Sequence, residues 1–140
     1  MTFTLPDPST PFGAQVARHL ADEAVVWLTT VGADGTPQPN PVWFLWDGSG
    51  FLIYSLPDAA RLGRIRRNPR VALHFNSTPG GGDLVIFAGD TSIGPVPPEQ
   101  DPAYVAKYRE RMDRSFGGPA QFATRYSTPI RVTPTRLRGE

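Results

Sequence analysis

Arginine is concentrated in one short stretch of the chain. Residues 61–70 hold five of the fourteen basic side chains, namely Arg61, Arg64, Arg66, Arg67 and Arg70. A planar guanidinium group binds phosphate or carboxylate through paired hydrogen bonds. On a helix, Arg61 and Arg64 are neighbours, and Arg61 falls in the first turn, where the helix dipole favours anions. The stretch therefore predicts an anion site, with a solvated basic helix face as the alternative.

A set of aromatic side chains on predicted strands forms the second candidate feature. Its members are Trp27, Trp43, Phe44, Trp46, Phe51, Tyr54 and Phe75. Such rings can wall a slot for a flat heteroaromatic molecule, because aromatic faces stack on one another. The alternative is that they fill the core of a small barrel.

The residues that classical catalysis needs are scarce. There is no cysteine and there are only two histidines, His19 and His74, which excludes thiol chemistry and predicts no metal site. The sequence has no G-x-S-x-G elbow, and the glycines at 80–82 lack the Lys-Ser/Thr pair of a P-loop. A formal charge of +1 argues against a nucleic-acid partner. This pattern fits an enzyme in which a bound redox cofactor carries out the chemistry.

Length and composition predict a single small domain. The chain has 140 residues, and we expect a loose N-terminal arm over 1–10 followed by one domain over 11–140. No apolar run reaches the roughly 18 residues of a membrane span, and the N-terminus lacks a signal-peptide pattern. A cytoplasmic protein is therefore expected.

Short apolar runs separated by glycine and proline indicate a mainly β domain of α+β character. We predict six strands, over 24–31, 36–46, 51–55, 70–76, 83–88 and 130–137. We predict helices over 11–21, 59–67, 102–114 and 119–125, with Thr10 and Asp58 as N-caps of the first two. Six antiparallel strands with flanking helices suggest a small β-barrel.

The segment over 36–46 carries two distinct signals. Pro37, Pro39 and Pro41 confine its first half to a sheet edge or a bulge, because proline lacks a backbone N–H. Its second half, 42–46, is apolar at every position, so both of its faces must be covered. The outer face therefore needs a partner, a helix or a ligand, which is a first indication of a homodimer.

Several short segments, in their order and spacing, resemble a known family. They are WLTTV at 27–31, DGTP at 34–37, PVWFLWDG at 41–48, YS at 54–55, Arg61 with NP at 68–69, and RYS at 125–127 with PIRVTP at 129–134. Over 12–139 the chain resembles the flavin- and deazaflavin-dependent oxidoreductases of the pyridoxamine 5′-phosphate oxidase superfamily. Within these it is most similar to the actinobacterial branch that uses coenzyme F420. The resemblance implies an FMN-binding-type split β-barrel and a homodimer with cofactor sites between its subunits.

The resemblance also implies roles for particular residues. Backbone groups at Pro41, Val42, Trp43 and Phe44 are expected beside the tricyclic ring of the cofactor. Tyr54 and Ser55 are expected near its ribityl chain and phosphate, and Arg61 stands where the family usually has a phosphate-binding lysine. The remaining candidates for cofactor contact are Leu62, Arg64 and Asn76, and the acidic tail of F420 could engage Arg64, Arg66 and Arg67.

The first functional hypothesis is an F420-dependent reductase that passes hydride from reduced deazaflavin to an electron-poor small molecule. The second is an FMN-dependent oxidase or reductase of the same fold. The third is a non-catalytic protein that stores or carries a cofactor, haem or another apolar ligand. No catalytic residue is assigned, and the proton could come from water or from the hydroxyl of Tyr54 or Tyr126.

Overall fold

One antiparallel sheet of seven strands and four helices make up the part of the chain that the structure, a computed structural model, describes: residues 3–94 and 101–140. The helices are α1 (Pro11–Asp22), α2 (Ala60–Arg67), α3 (Pro102–Phe116) and α4 (Pro119–Arg125). The strands are β1 (Val26–Val31), β2 (Pro37–Val42), β3 (Leu45–Trp46), β4 (Phe51–Ser55), β5 (Arg70–His74), β6 (Val85–Ile93) and β7 (Thr128–Gly139). Their order across the sheet is β2-β1-β5-β6-β7-β4-β3.

The prediction of six strands is wrong by one, because the segment over 36–46 forms two strands. β2 ends at Val42 and β3 begins at Leu45. Between them, the backbone N–H of Phe44 donates to the Tyr108 hydroxyl at 2.8 Å, and its carbonyl accepts from the Lys107 amine at 2.8 Å. Since these side chains occupy the polar groups of Phe44, the ladder is interrupted there.

The strand predicted over 83–88 begins at Val85 and continues to Ile93. It pairs with β7 along its whole length, with a register shift between Ala88 and Gly89. A Cβ at Gly89 would stand 2.7 Å from the Thr133 carbonyl oxygen, so the bulge depends on the missing side chain at this position.

The helix predictions are confirmed in position, with one correction at α2. Thr10 caps α1 as predicted, since its hydroxyl accepts a hydrogen bond from the Gly13 N–H at 3.0 Å. Asp58 does not cap α2. A turn in which the Ala59 N–H donates to the Leu56 carbonyl places Ala59 at the cap, where no side chain supplies a hydrogen bond.

The edge position predicted for the proline-rich half-strand is confirmed. β2 lies at one end of the sheet and pairs only with β1, with Pro37, Pro39 and Pro41 opposite Val31, Thr29 and Trp27. Residues 37–41 are exposed, and Val42 alone is buried. An edge strand tolerates three prolines because one side of its backbone has no ladder to complete.

The buried apolar residues form two clusters. The larger one lies between the sheet and helices α1 and α2, with Leu28, Leu73 and Ile130 among its fully buried members. Phe3 and Leu5, from the segment predicted as an N-terminal arm, pack against it. The smaller cluster lies under α3 and α4 and consists of Tyr54, Tyr104, Tyr108, Met112 and Phe122.

Residues 42–46 are covered on both faces, as their composition predicts. Phe44 is fully buried in the larger cluster. Trp43 points the other way and stacks on Tyr108, with ring centroids 4.5 Å apart. Helix α3 of the same chain therefore supplies this cover, so the apolar segment is not by itself an argument for a second subunit. None of the described helices combines the length and apolar character needed to cross a membrane.

Candidate functional site

A cavity of about 230 Å³ opens where the end of β2, the end of β4 and the start of α2 meet the layer formed by α3 and α4. Its lining consists of Pro41, Val42, Trp43, Tyr54, Arg61, Tyr104, Phe116, Phe122 and Tyr126. Pro41, Val42, Trp43, Tyr54 and Arg61 come from the residues that the sequence predicts to contact a cofactor. Five of the predicted residues therefore border one cavity.

Three elements bring these residues together from separate parts of the chain. Val42 ends β2, and Trp43 lies in the break before β3. Tyr54 is the penultimate residue of β4, and Arg61 is the second residue of α2. The cavity thus forms where a sheet edge, a strand end and a helix N-terminus converge.

Stacked aromatic rings form one wall of the cavity. The ring of Phe122 lies 5.4 Å from that of Trp43 and 4.9 Å from that of Tyr126, with interplanar angles of 13° and 9°. Phe116 meets all three edge-on, at 5.3–6.1 Å. A wall of parallel faces and edges suits a flat ring system, because offset stacking and edge-to-face contacts are both favourable.

Most of the other predicted aromatic residues belong to the core. Phe44, Phe51 and Phe75 are buried in the larger cluster, and Trp46 packs against it. Trp27 lies elsewhere on the sheet, where its indole N–H donates to the Asn76 side-chain oxygen at 2.8 Å. The core interpretation therefore applies to most of the aromatic set, whereas Trp43 and Tyr54 line the cavity.

Arg61 is half-buried in this cavity, and no carboxylate lies within ion-pair distance of it among the described residues. Burial, and then the positive charge of Arg64, lower the pKa of Arg61 from its ordinary value. An arginine nevertheless stays charged at neutral pH. The cavity therefore contains a guanidinium cation that no described side chain neutralises.

The neighbouring arginines are placed differently. The Nε of Arg64 donates to the Thr30 hydroxyl at 2.7 Å, which ties α2 to β1. Arg66, Arg67 and Arg70 are exposed. The alternative of a solvated basic face thus describes these three, and Arg61 alone of the stretch lines the cavity.

The remaining predicted contacts lie outside the lining. Leu62 is buried in the larger cluster. Ser55 is fully buried, and its hydroxyl donates to the Leu56 carbonyl at 3.0 Å. Asn76 is exposed and holds Trp27. Phe44 uses both of its backbone polar groups within the chain, so they are not directed at a ligand.

Helices α3 and α4 contribute lining residues that the sequence did not single out, namely Tyr104, Phe116 and Phe122. Tyr104 is fully buried, and its hydroxyl has no hydrogen-bond partner within 3–94 and 101–140. Burial raises the pKa of Tyr104 well above its usual range, and the nearby Tyr108 and Tyr54 add to this effect. Tyr104 is therefore a neutral phenol at any physiological pH.

The structure gives no support for a protein-bound metal. Within the described parts of the chain, no group of three or more histidines and carboxylates is placed to hold an ion. The groups that the cavity presents to a ligand are one unpaired cation, a wall of aromatic rings and buried phenol groups.

A seven-stranded antiparallel sheet with four helices is the architecture of the split β-barrel class. Residues 12–139 match the family described as pyridoxamine 5′-phosphate oxidase, and the chain belongs to this family. The resemblance to this superfamily is thereby confirmed. A comparison with curated proteins found no match.

Solved structures of several relatives share the fold. One, named F420 Reductase, is 28% identical with a TM-score of 0.66, and the match covers 88% of this chain and 96% of that one. A putative pyridoxamine 5′-phosphate oxidase from Listeria innocua is 21% identical, with a TM-score of 0.64 and coverage of 89% and 94%. HutZ from Vibrio cholerae, described as a heme storage protein, is 14% identical, with a TM-score of 0.64 and coverage of 90% and 92%. At these identities, the Listeria and Vibrio structures show the fold alone. The names of the three structures include redox enzymes and a heme storage protein.

Proposed function

We propose that this protein is an oxidoreductase that binds coenzyme F420 and directs hydride from the reduced cofactor to an electron-poor small molecule. The observation that carries the proposal is the half-buried Arg61, which lines an aromatic cavity without a carboxylate partner. A phosphate group would neutralise this cation and accept paired hydrogen bonds from its guanidinium. A cofactor that joins a phosphate to a flat tricyclic ring matches both features of the cavity.

The charged group and the aromatic rings of the cavity fit the phosphate and the ring of such a cofactor. Arg61 would hold the phosphate, assisted by the N-terminus of α2, whose cap residue Ala59 supplies no side-chain hydrogen bond. Trp43, Phe122 and Tyr126 would hold the ring by stacking and would exclude water from its face. The chain's contribution is therefore to bind, to orient and to keep the site dry.

When bound, the reduced deazaflavin supplies a hydride, that is, a proton with two electrons. An electron-poor double bond would accept this hydride together with a proton from solvent, so that the reduction balances. Residues of the cavity fix the distance and angle at which the acceptor meets the ring. No side chain is needed as a nucleophile, which agrees with the absence of cysteine.

The choice of F420 over FMN is supported by the 28% identical structure named F420 Reductase. FMN also combines a phosphate with a tricyclic ring, so an FMN-dependent oxidase or reductase is the second candidate. A third candidate is a non-catalytic binder of haem, because HutZ, described as a heme storage protein, has the same fold.

We further propose that the working form is a homodimer. The cavity of one chain, about 230 Å³, is smaller than the roughly 300–1,000 Å³ typical of pockets for molecules of cofactor size. A second copy beside the cavity would enlarge it into a groove between subunits. Sedimentation equilibrium tests this point, and a monomer that binds the cofactor with full affinity would contradict it.

Titrating F420 and FMN into wild-type protein, Arg61→Glu, Arg61→Lys and Arg109→Glu tests the proposed function. We expect F420 to bind the wild type, Arg61→Glu to weaken binding at least about 30-fold, and Arg61→Lys to weaken it less because the charge remains. Arg109→Glu makes the same charge change on an exposed face of α3, outside the cavity, and should bind like wild type. Equal affinity of Arg61→Glu and wild type would overturn the phosphate site, and tight FMN with no F420 binding would establish the second candidate.

Turnover is measured separately from binding. Reduced F420 mixed anaerobically with the protein and a panel of quinones and enones should be oxidised faster than without protein. Binding without any turnover across the panel would favour a carrier.

A further inference from the structure

The hydroxyl of Tyr104 is a buried polar group of the cavity lining that has no hydrogen-bond partner among the described residues. Tyr104 is 0% exposed, lines the cavity, and has no hydrogen-bond partner for its hydroxyl there. A buried donor without an acceptor costs about 1–3 kcal/mol. Such groups are rare in folded proteins, and a water or a ligand outside the polypeptide can complete the bond.

The neighbouring Tyr108 shows how this fold treats a buried phenol that serves structure. Its hydroxyl lies 2.7 Å from the Ala24 carbonyl oxygen and 2.8 Å from both the N and O atoms of Phe44. Tyr104 lies on the same face of α3 with its ring 5.0 Å from that of Tyr108, yet it has none of these contacts. Packing alone would be served equally well by phenylalanine at position 104.

The surroundings of Tyr104 define what can reach its hydroxyl. The ring of Tyr54 meets it edge-on at 4.7 Å, and that of Phe122 lies 6.2 Å away at 28°. Aromatic rings therefore surround the Tyr104 ring, and a ligand that reaches its hydroxyl must fit beside them. Burial raises the pKa of Tyr104 well above its usual range, so the group keeps its proton and needs an acceptor.

We propose that the Tyr104 hydroxyl donates a hydrogen bond to a carbonyl oxygen of the flat molecule bound in this cavity, and so selects carbonyl-bearing rings over hydrocarbons of the same shape. The inference rests on the proposed function in that it concerns the same cavity. The carbonyl can belong to the ring of the cofactor or to the hydride acceptor, since the chemistry of the contact is the same. Tyr104 is then a specificity-determining residue.

The first measurement uses the protein without cofactor. Calorimetric titrations with 2-methyl-1,4-naphthoquinone and 2-methylnaphthalene compare wild type, Tyr104→Phe and Thr124→Val. We expect the wild type to prefer the quinone, and Tyr104→Phe to lose roughly 3- to 10-fold of that preference while binding the hydrocarbon unchanged. Thr124→Val removes a hydroxyl from an exposed position of α4 outside the cavity and should keep the preference.

The outcomes of this titration decide the proposal. An unchanged preference in Tyr104→Phe, an equal loss in both variants, or no binding of the quinone to wild type each overturns it. Thermal unfolding of the free proteins separates ligand binding from a structural role. Tyr104→Phe should melt at or above the wild-type temperature because it removes an unpaired hydroxyl, and a clear fall in melting temperature would count against the proposal.

A second pair of titrations finds the source of the carbonyl. Oxidised F420 is titrated into wild type and Tyr104→Phe, and the naphthoquinone is then titrated into each protein saturated with oxidised F420. A loss confined to F420 places the carbonyl on the cofactor ring, a loss confined to the quinone places it on the acceptor, and no loss in either overturns the proposal. If F420 does not bind the wild type, the proposed function fails, while the quinone comparison without cofactor still decides the role of Tyr104.

Discussion

The hydroxyl of Tyr108 lies 2.8 Å from both the backbone nitrogen and the carbonyl oxygen of Phe44. This contact joins α3 to the break between β2 and β3, across 64 positions of sequence. It fixes the orientation of Trp43, the residue immediately before the contact, which stacks on the Tyr108 ring and lines the cavity. The geometry of the candidate site therefore depends on a helix–backbone hydrogen bond outside the cavity.

Replacing Tyr108 by phenylalanine tests this dependence. The change leaves the buried N–H of Phe44 without its partner, so Tyr108→Phe should lower the free energy of unfolding by about 1–3 kcal/mol. Urea unfolding followed by fluorescence measures the effect. Tyr126→Phe, at a partly exposed ring, should change stability by less than about 0.5 kcal/mol, and equal stability of Tyr108→Phe and wild type would contradict the argument.

The pairing of Asp47 with Arg131 predicts how stability falls in acid. The Arg131 guanidinium, followed by the backbone N–H groups of Ser49 and Gly50, lowers the pKa of Asp47 to about 2. The folded-state pKa lies below the ordinary value of 3.8, so the stabilisation is fully present above about pH 4 and is lost as the pH falls through 2. Because both side chains are about one-third exposed, solvent screening should limit it to roughly 1 kcal/mol or less.

The experiment is to measure the free energy of unfolding of wild type and Asp47→Asn between pH 2 and pH 7. The wild type should be the more stable protein at pH 7, and the difference should narrow as the pH approaches 2. Asp58→Asn, at an exposed carboxylate with no ion pair among the described residues, is the control. A difference that is constant across this range would exclude the assigned role of Asp47.

Lys107 predicts a further rise of stability with pH, in the alkaline range. Burial lowers the pKa of Lys107 to about 8 from an ordinary value of 10.5, while its amine lies 2.8 Å from the Phe44 carbonyl oxygen and 3.6 Å from the centre of the Phe44 ring. The unfolded chain binds this proton more tightly than the folded protein does, so stability should rise between about pH 8 and 10.5. Comparing the free energies of unfolding of wild type and Lys107→Met isolates the contribution of the amine. The stability of the wild type relative to the variant should increase over this pH interval. Parallel curves of stability against pH would show that the amine is not desolvated.

The strands and helices could be predicted from the sequence because their signals are local. β1 alternates buried and half-buried residues along its length, because successive side chains of a strand point to opposite faces. Asp101 caps α3 through the Tyr104 N–H, and Gly117 ends it in the left-handed conformation, with φ of 90°. The break at Phe44 could not be predicted in this way, because it depends on side chains of α3 that are far away in sequence.

The candidate site could be predicted only in part, because some of its features are local in sequence and others depend on distant contacts. Arg61 was found because a dense run of arginines and the family resemblance both point to it. Arg64 looks equivalent in sequence, but its partner Thr30 lies 34 positions away, and only the fold brings the two together. The helical spacing of Tyr104 and Tyr108 predicts that both face inward. Which of the two rings borders the cavity depends on how α3 packs on β4, and the sequence does not show this.

Arg61 and Arg64 should respond in opposite ways to the loss of their charge. Arg61 carries an unpaired charge in a half-buried position, where desolvation lowers its pKa, so Arg61→Met should leave the free protein as stable as wild type or more so, by up to about 1 kcal/mol. Arg64→Met removes the partner of the buried Thr30 hydroxyl and should destabilise the protein by about 1–2 kcal/mol. Urea unfolding of both variants, with titration of F420 alongside, checks the pair. If Arg61 serves a ligand, Arg61→Met should bind F420 more weakly than wild type does and should be the more stable protein. Destabilisation equal to that of Arg64→Met would mean that Arg61 serves the fold and not a ligand.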